Sequence, residues 1–292
     1  MQHTEGLFQG CGGAQLYYQR WLPDDPPVGI LVLVHGLGGH STLFNNGVRC
    51  LLPQGYAVYA MDLRGHGRSP GQRGHIQHWS ELREDLQAFL TFVRAQDGTQ
   101  RYFLWGHSLG GTICLDYALH YPDRLQGLIL SAPALGPVGV ASWKIVLGQL
   151  LSHVWPRFNL KVGLDHAASS RDVAVLAARA ADPLRHESGS ARLASEYFRT
   201  VRWIHRHCDR LEVPLLILQG EADRITSPHS SRAFFEQIQV KDKTYRGYPD
   251  SYHDLYADLN YMEVISDLAD WLHQHSDPVT TLALPLQCLT LV

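Results

Sequence analysis

The sequence predicts an α/β fold with a mostly parallel central sheet, helices on both faces, and helices inserted near the middle of the chain. Short apolar runs typical of buried strands occur at residues 30–34, 56–61, 102–105 and 125–132. Segments with apolar residues at helical spacing separate these runs, as parallel strands joined by right-handed crossovers require. The strand pattern stops at Pro133 and returns at residues 213–218, which indicates the insertion.

The elements of the first half each have a local basis. Residues 14–21 alternate apolar and polar side chains, which favours a half-exposed antiparallel strand. The Ile, Leu and Val run at residues 30–34 is typical of a parallel strand buried on both faces. Apolar residues at helical spacing predict helices near residues 43–52 and 79–94.

The second half divides into an insertion and a return to the sheet. Residues 135–208 contain helical patterns and no strand-like run. We expect them to form a cap over the carboxyl ends of the strands, where ligands bind in open α/β sheets, the alternative being a separate helical domain. The predicted units are a core at residues 1–134, a helical cap at 135–208, the rest of the core at 209–275 and a C-terminal tail at 276–292.

After the insertion, the strand and helix patterns alternate again. We expect a strand at residues 213–218, a helix near 232–238, a short strand at 243–245 and a last helix at 259–273.

Composition excludes some classes of protein. The 292 residues are 45% hydrophobic and 18% charged, with a formal charge of −3, so no electrostatic basis for nucleic-acid binding exists. The five cysteines are odd in number and widely spaced, which favours free thiols in a reducing compartment. No secretory signal or membrane-spanning run is evident, so a cytoplasmic protein is expected. No cofactor or metal site is expected.

The most informative motif is the pentapeptide 106–110, which has the form G-x-S-x-G with Ser108 at its centre. It follows an apolar strand pattern and precedes a helical pattern, as in a nucleophile elbow. The alternative is a glycine-rich turn whose serine only caps the following helix.

A serine nucleophile needs a base and an orienting acid, which follow it along the chain in this architecture. Asp223 lies just after the strand at residues 213–218, and His253 lies in the loop before the last helix. Glu221 and Asp250 are the rival acids.

Acyl transfer also needs N–H donors for the developing oxyanion. We expect one from Leu109, directly after the nucleophile, and one from Leu37 in the glycine-rich loop at residues 35–40. That loop lacks the spacing and the lysine of nucleotide-binding motifs, which disfavours a phosphate site.

With these motifs the chain resembles the α/β-hydrolase superfamily, and within it the monoacylglycerol lipase and lysophospholipase branch. The resemblance rests on five stretches, residues 35–41, 61–69, 106–111, 218–224 and 248–255. It implies the α/β-hydrolase fold with an inserted cap, a Ser108–His253–Asp223 triad, and an oxyanion hole at Leu37 and Leu109. Within 61–69, Asp62 and Arg64 are expected to pair and hold the loop near the site.

The predicted function is hydrolysis of the acyl ester of monoacyl lipids, monoacylglycerol or lysophospholipid, through an acyl-enzyme. The expected partners are a small acyl ester or lipid and, transiently, a membrane surface touched by the cap. Candidate substrate contacts are Gly36, His107, Trp143, Leu147 and Leu151.

Two alternatives keep the triad but change the reaction. They are an acyltransferase and a peptidase of the prolyl aminopeptidase type. The peptidase needs acidic cap residues to bind the amino terminus of its substrate, and Glu187 and Glu196 are the only glutamates of the cap. A non-enzymatic module would instead predict a broken triad or a missing glycine loop. Oligomeric state and the role of the leucine-rich tail stay open.

Overall fold

An eight-stranded sheet lies at the centre of the computed structural model, which describes residues 2–98, 102–122, 125–136, 151–163 and 165–276. In chain order, the strands of the described residues are β1 (Gln2–Gln9), β2 (Gln15–Leu22), β3 (Gly29–Val34), β4 (Tyr56–Met61), β5 (Tyr102–His107), β6 (Leu125–Ser131), β7 (Asn159–Lys161), β8 (Ser188–Ser190), β9 (Leu215–Gly220) and β10 (Lys243–Tyr248). The sheet order is β1-β2-β4-β3-β5-β6-β9-β10. β2 is antiparallel to β1 and β4. The remaining neighbours in this sheet, β4-β3, β3-β5, β5-β6, β6-β9 and β9-β10, are parallel.

Helices cover both faces of this sheet. In the described residues they are α1 (Asn45–Leu51), α2 (Ser80–Asp97), α3 (Leu109–His120), α4 (Val173–Ala180), α5 (Ala191–His207), α6 (Pro228–Gln237) and α7 (Tyr261–His275). One apolar cluster joins the sheet to α2, α3, α5 and α6, and the other joins it to α1 and α7. In β3, Val32 belongs to the first cluster and Leu31 and Leu33 to the second, as the two-residue period of a strand requires. The predicted α/β architecture is confirmed.

Two features of the fold were not expected from the sequence. β1 is an additional strand, which pairs along its whole length with β2 at the sheet edge. Most of its side chains are exposed, so it carries no apolar signal. The insertion also contains the antiparallel pair β7–β8, whose strands are three residues long and too short to show a period.

The inserted segment leaves the sheet after β6 and returns at β9. Its described part contains helical residues 151–154, the β7–β8 pair, α4 and α5. α5 packs on α3 and contributes buried residues to the apolar cluster that it shares with the sheet. The insertion is thus attached to the core through a shared apolar cluster; the domain boundaries given above remain predictions.

The cysteines depart in part from expectation. Cys11, Cys114 and Cys208 have free thiols. Cys50 is disulfide-bonded, so the expectation of free thiols is wrong at that position. Within the described residues, no helix is long and apolar enough to span a membrane.

The expected pair between Asp62 and Arg64 is not formed. Asp62 is buried and accepts hydrogen bonds from the backbone N–H groups of Ser41 at 2.7 Å and Arg68 at 2.8 Å. Backbone donors near the carboxylate satisfy Asp62 locally, so it needs no arginine partner. The carboxylate thereby ties the loop after β4 to the loop after β3.

Arg64 instead binds two carboxylates of α2. Its Nε and Nη2 contact the Oδ2 and Oδ1 of Asp85 at 2.6 and 2.8 Å, and its Nη1 contacts Glu81 at 2.9 Å. Asp85 is fully buried and also accepts the N–H of Cys11 at 2.8 Å. This bidentate pair holds α2 against the loop after β4 and the loop between β1 and β2.

Replacing Arg64 should therefore destabilise the protein strongly. Arg64→Met leaves the buried Asp85 carboxylate without its cation, a change that costs about 3–5 kcal/mol in buried pairs. Urea unfolding would measure this loss. Arg68→Met is the control, because Arg68 pairs with Glu5 at an exposed site where such pairs contribute about 1 kcal/mol or less. Equal losses in the two variants would contradict the assignment.

Candidate active site

Ser108 lies at the turn between β5 and α3 in a backbone conformation that non-glycine residues rarely adopt. Its φ is 54° and its ψ is −120°. The Ser108 N–H donates to the Ser131 carbonyl at 3.0 Å, and its own carbonyl accepts from Gly111 at 3.0 Å and Thr112 at 3.3 Å. These bonds hold a conformation that costs of the order of 1–3 kcal/mol elsewhere. The side chain makes no helix-capping hydrogen bond, which disfavours the capping alternative.

Glycine is required on both sides of this turn because α3 approaches the sheet closely. A Cβ at Gly106 would lie 2.5 Å from the carbonyl oxygen of Gly110. A Cβ at Gly110 would lie 2.1 Å from the carbonyl oxygen of Val34, at the end of β3. Both contacts are with backbone, which cannot move aside as a flexible side chain would. The pentapeptide thus encodes the packing of a helix start against two strand ends.

Asp223 and His253 are in direct contact. The Asp223 Oδ2 lies 2.8 Å from the His253 Nδ1, and both side chains are buried. Asp223 also accepts hydrogen bonds from the backbone N–H groups of Ile225 at 2.7 Å and Thr226 at 3.0 Å, and from the Thr226 hydroxyl at 2.7 Å. The structure brings these two predicted residues together.

The rival acids lie elsewhere. Glu221 contacts Arg232 and Tyr245, each at 3.4 Å, and Asp250 is exposed. Asp223 is therefore the carboxylate that the fold presents to the histidine.

The contact between Asp223 and His253 sets the protonation of both groups. Burial opposes ionisation of Asp223, but the neighbouring His253 and the hydrogen bonds from Thr226 and Ile225 lower its pKa overall. Burial also opposes the charged imidazole, but the Asp223 carboxylate raises the pKa of His253 overall. An ionised carboxylate only accepts hydrogen bonds, so the Nδ1 of His253 carries the proton and its Nε2 is free to accept one.

Ser108 and His253 line one pocket, at the carboxyl ends of the strands. The core and the insertion both contribute to its wall. The described lining residues are Gly36, Leu37, Gly39, Leu43, His107, Ser108, Val162, Ser169, Arg185, His186, Glu187, Ile225, His253, Asp254 and Tyr256. The insertion therefore lies beside the candidate nucleophile, the position that a cap would occupy.

Two backbone N–H groups near Ser108 are available as donors. Leu109 is the first residue of α3, where N–H groups have no partner within the helix. Leu37 lies in the glycine loop and lines the pocket. Among the described residues, neither N–H donates to a protein acceptor. Both are free to bind an oxyanion.

Gly36 approaches Ser108, the candidate nucleophile, closely. A Cβ there would lie 2.9 Å from the Ser108 Cβ and 3.4 Å from its Oγ. The glycine loop therefore contacts the serine because it lacks a side chain at this position.

The other candidate substrate contacts are placed differently. His107 lines the pocket, but its Nδ1 lies 3.2 Å from the Ser131 hydroxyl and its Nε2 lies 2.9 Å from Asp254. Trp143 and Leu147 lie outside the described residues. Leu151 is half-buried in helical residues 151–154 and is absent from the described lining of the pocket.

Sequence reasoning missed the pocket residues of the insertion. Val162, Ser169, Arg185 and His186 line the site although no local motif marks them. The only indication of their role in the sequence was their place in residues 135–208, the segment expected to form a cap over the site.

Adding one methyl group at Gly36 should displace the glycine loop. In Gly36→Ala the new Cβ forces the loop away from Ser108, and misplacement of an oxyanion donor costs roughly 100-fold in rate. We expect labelling of Ser108 by a fluorophosphonate probe to slow by about that factor. The thermal unfolding midpoint is the control, since a large drop in it would attribute slow labelling to loss of the fold.

Comparisons with known proteins agree with this architecture. A hydrolase family model described as serine aminopeptidase, S33, matches residues 25–260. The monoacylglycerol lipase of Mycolicibacterium smegmatis is 31% identical over 274 residues, which cover 93% of this chain and 98% of that protein.

Solved structures give the same result. The crystal structure of Paleococcus ferrophilus monoacylglycerol lipase matches with a TM-score of 0.83 and 35% identity, covering 89% of this chain and 99% of that one. A soluble variant of monoglyceride lipase from Saccharomyces cerevisiae, in complex with a substrate analog, matches with a TM-score of 0.84 and 25% identity, covering 92% and 95%. The chain therefore belongs to the α/β-hydrolase family described as serine aminopeptidase S33, as a monoacylglycerol-lipase-like serine hydrolase of the carboxylic ester hydrolase class.

Proposed function

We propose that the chain hydrolyses the acyl ester of monoacyl lipids, monoacylglycerol or lysophospholipid, with Ser108 as nucleophile. The observation that carries the proposal is the buried Asp223–His253 pair, which lies beside a strained, uncapped Ser108 in one pocket. A structural serine needs neither the strain nor a polarised imidazole nearby.

The mechanism follows from the protonation of these groups. The Nε2 of His253 accepts the Ser108 proton as Oγ attacks the ester carbonyl. The oxyanion that forms accepts hydrogen bonds from the N–H groups of Leu37 and Leu109. His253 then donates its proton to the leaving alcohol oxygen, which leaves an acyl-enzyme. Water attacks this ester with His253 again as base, and the fatty acid departs as Ser108 regains its proton.

The substrate class rests on the relatives. The Mycolicibacterium smegmatis and Paleococcus ferrophilus proteins are named monoacylglycerol lipases and are matched over almost their whole length. The insertion also forms part of the pocket wall, which is compatible with a substrate whose single acyl chain is enclosed there. Expected contacts of Trp143, Leu147 and Leu151 with the acyl chain remain part of this proposal.

A membrane contact of the insertion is a further part of the proposal. Val154 and Trp155 are 86% and 59% exposed, and Leu160 is 40% exposed. A group of exposed apolar side chains on a soluble surface favours contact with an apolar partner. A lipid surface would supply both that partner and the substrate.

The aminopeptidase alternative is favoured by the description of the matching family model. Such an enzyme needs acidic groups in the pocket to bind the amino terminus of its substrate. Glu187 lines the pocket, whereas Glu196 is buried and accepts the N–H of Trp79 at 2.9 Å. One of the two acidic candidates therefore lies in the pocket, so the substrate panel must include a peptidase substrate.

A substrate panel tests the proposed reaction. We expect turnover of 1-monooleoylglycerol and oleoyl-lysophosphatidylcholine, slower turnover of p-nitrophenyl acetate than of the octanoate, and none of prolyl-p-nitroanilide. Ser108→Ala should lose at least about 10⁴-fold in kcat and all fluorophosphonate labelling, because it removes the nucleophile.

Ser69→Ala provides a matched control for this variant. It removes another buried hydroxyl, which donates to the Asp62 carbonyl at 2.6 Å and does not line the described pocket, so the fluorophosphonate should still label Ser108 in it. If the protein turned over the prolyl amide but none of the lipid esters, the peptidase would replace the lipase as the proposed function. Labelling that survives in Ser108→Ala would remove Ser108 from the mechanism.

Exposed apolar residues of the insertion should also promote vesicle binding. In sedimentation with phosphatidylcholine vesicles, the double variant Val154→Ser/Trp155→Ser should bind several-fold less than the wild type, because it removes apolar area from the contact. Leu7→Ser is the matched control, since Leu7 is 58% exposed on the edge strand β1. Equal binding of all three proteins would contradict the proposed contact.

A further inference from the structure

A second buried histidine–carboxylate pair lies beside the candidate triad. The Nε2 of His107 lies 2.9 Å from the Oδ1 of Asp254, and the Nη1 of Arg179 contacts the Oδ2 of the same carboxylate. The three side chains are 4%, 7% and 8% exposed. Arg179 also donates to the Ser169 hydroxyl at 2.9 Å. A charge this deeply buried is retained only when it is fully paired.

The direction of every proton in this network is fixed. Burial opposes ionisation of Asp254, but the Arg179 charge and the hydrogen bond from His107 hold its pKa far below the usual range, so Asp254 is ionised. A carboxylate only accepts, so the Nε2 of His107 donates and its Nδ1 accepts from the Ser131 hydroxyl at 3.2 Å. The Ser131 oxygen accepts in turn from the indole N–H of Trp105 at 2.8 Å. The His107 imidazole is neutral, since burial lowers its pKa.

The network connects three separate parts of the molecule. His107 directly precedes Ser108, Asp254 directly follows His253, and Arg179 lies on α4 of the insertion. The rings of His107 and His253 are 4.7 Å apart. The backbone N–H of Asp254 donates to the Ser169 carbonyl at 2.7 Å, which attaches the same loop to the insertion a second time.

We propose that Asp254 is a positioning residue that fixes His253 relative to Ser108, and that Arg179 extends this control from the insertion to the base. One carboxylate joins the residue before the nucleophile to the residue after the base, so the two reacting groups are aligned through their chain neighbours. The inference rests on the proposed role of His253 as the base. It adds a connection, the Arg179–Asp254 contact, through which the insertion influences the position of His253.

The same arrangement sets the charge around His253. Among the described residues, the titratable groups packed against it are Asp223 after β9, His107 on β5, Arg179 on α4 and Asp254 on its own loop. Arg185, His186 and Glu187 of the insertion face the same pocket. The Asp254 charge raises the pKa of His253, and the Arg179 charge lowers it. The two effects oppose each other while the ion pair is intact.

Removing one partner should therefore shift the titration of His253 in a direction that depends on which one is removed. Asp254→Asn leaves the Arg179 cation and should lower the His253 midpoint by about one pH unit. Arg179→Met leaves the carboxylate and should raise the midpoint by a similar amount. The double variant Arg179→Met/Asp254→Asn has no added charge and should return close to the wild-type value.

Two readouts follow this midpoint. One is the NMR titration of the His253 imidazole, assigned by its loss in His253→Gln. The other is the acid limb of kcat/KM for p-nitrophenyl octanoate. Because a base must be unprotonated, activity falls below the midpoint, so the acid limb should move to lower pH in Asp254→Asn and to higher pH in Arg179→Met. Each single variant should also lower kcat with KM nearly unchanged.

Arg171→Met is the matched control. Arg171 belongs to the insertion and binds Asp258, near the same loop, with its Nε 3.0 Å from the Oδ2. Its loss removes a similar attachment without changing the charge next to His253, so the midpoint should stay at the wild-type value. Should Asp254→Asn fail to fold, Arg179→Met and the double variant still test the sign and its reversal.

The outcomes separate this inference from the proposed function. No shift, or shifts of the same sign in the two single variants, would overturn the inference even in an active lipase. Opposite shifts in the NMR titration with no ester turnover would support the charge coupling and overturn the proposed function. Opposite shifts in both readouts support both.

Discussion

The close approach of α3 to the carboxyl ends of β3 and β5 is the constraint on which the rest of the site depends. It leaves no room for side chains at Gly106 and Gly110 and holds Ser108 at a positive φ. The parallel sheet supplies the strand ends, and the hydrogen bonds around Ser108 hold the strain. Gly36 also packs against the Ser108 Cβ, so the candidate nucleophile and the glycine loop at residues 35–40 are positioned together.

Buried charges complete the arrangement around this turn. Asp223 is surrounded by donors and meets His253, and Asp254 is held between His107 and Arg179. Each carboxylate is buried, so loss of its partners would leave an unpaired buried charge and lower the stability of the fold. The loop that carries His253 is thus fixed from the core on one side and from the insertion on the other. This double attachment connects the insertion to the loop of His253, in addition to its place in the wall of the pocket.

Family membership and motif spacing rest on different features of the chain. The match over residues 25–260 establishes the family, and the geometry around Ser108 explains why its motifs have their spacing. The insertion adds Arg185 and Glu187, which have opposite charges, to the wall of the pocket, although no sequence motif marks them. The motifs that identify the family and the residues that the insertion adds to the pocket therefore lie in separate parts of the chain.

The sequence by itself determined the parallel sheet and the turn at Ser108, and it predicted the contact between Asp223 and His253, because strand periods, glycine spacing and chain order are local or topological properties. Only the tertiary structure decided the rest. It replaced the expected Asp62–Arg64 pair with contacts between Arg64 and α2, and it added the exposed strand β1. It also joined Asp254 to His107, 147 residues away, and to Arg179, 75 residues away. Such contacts depend on how separate elements pack, and no local pattern in the sequence records them.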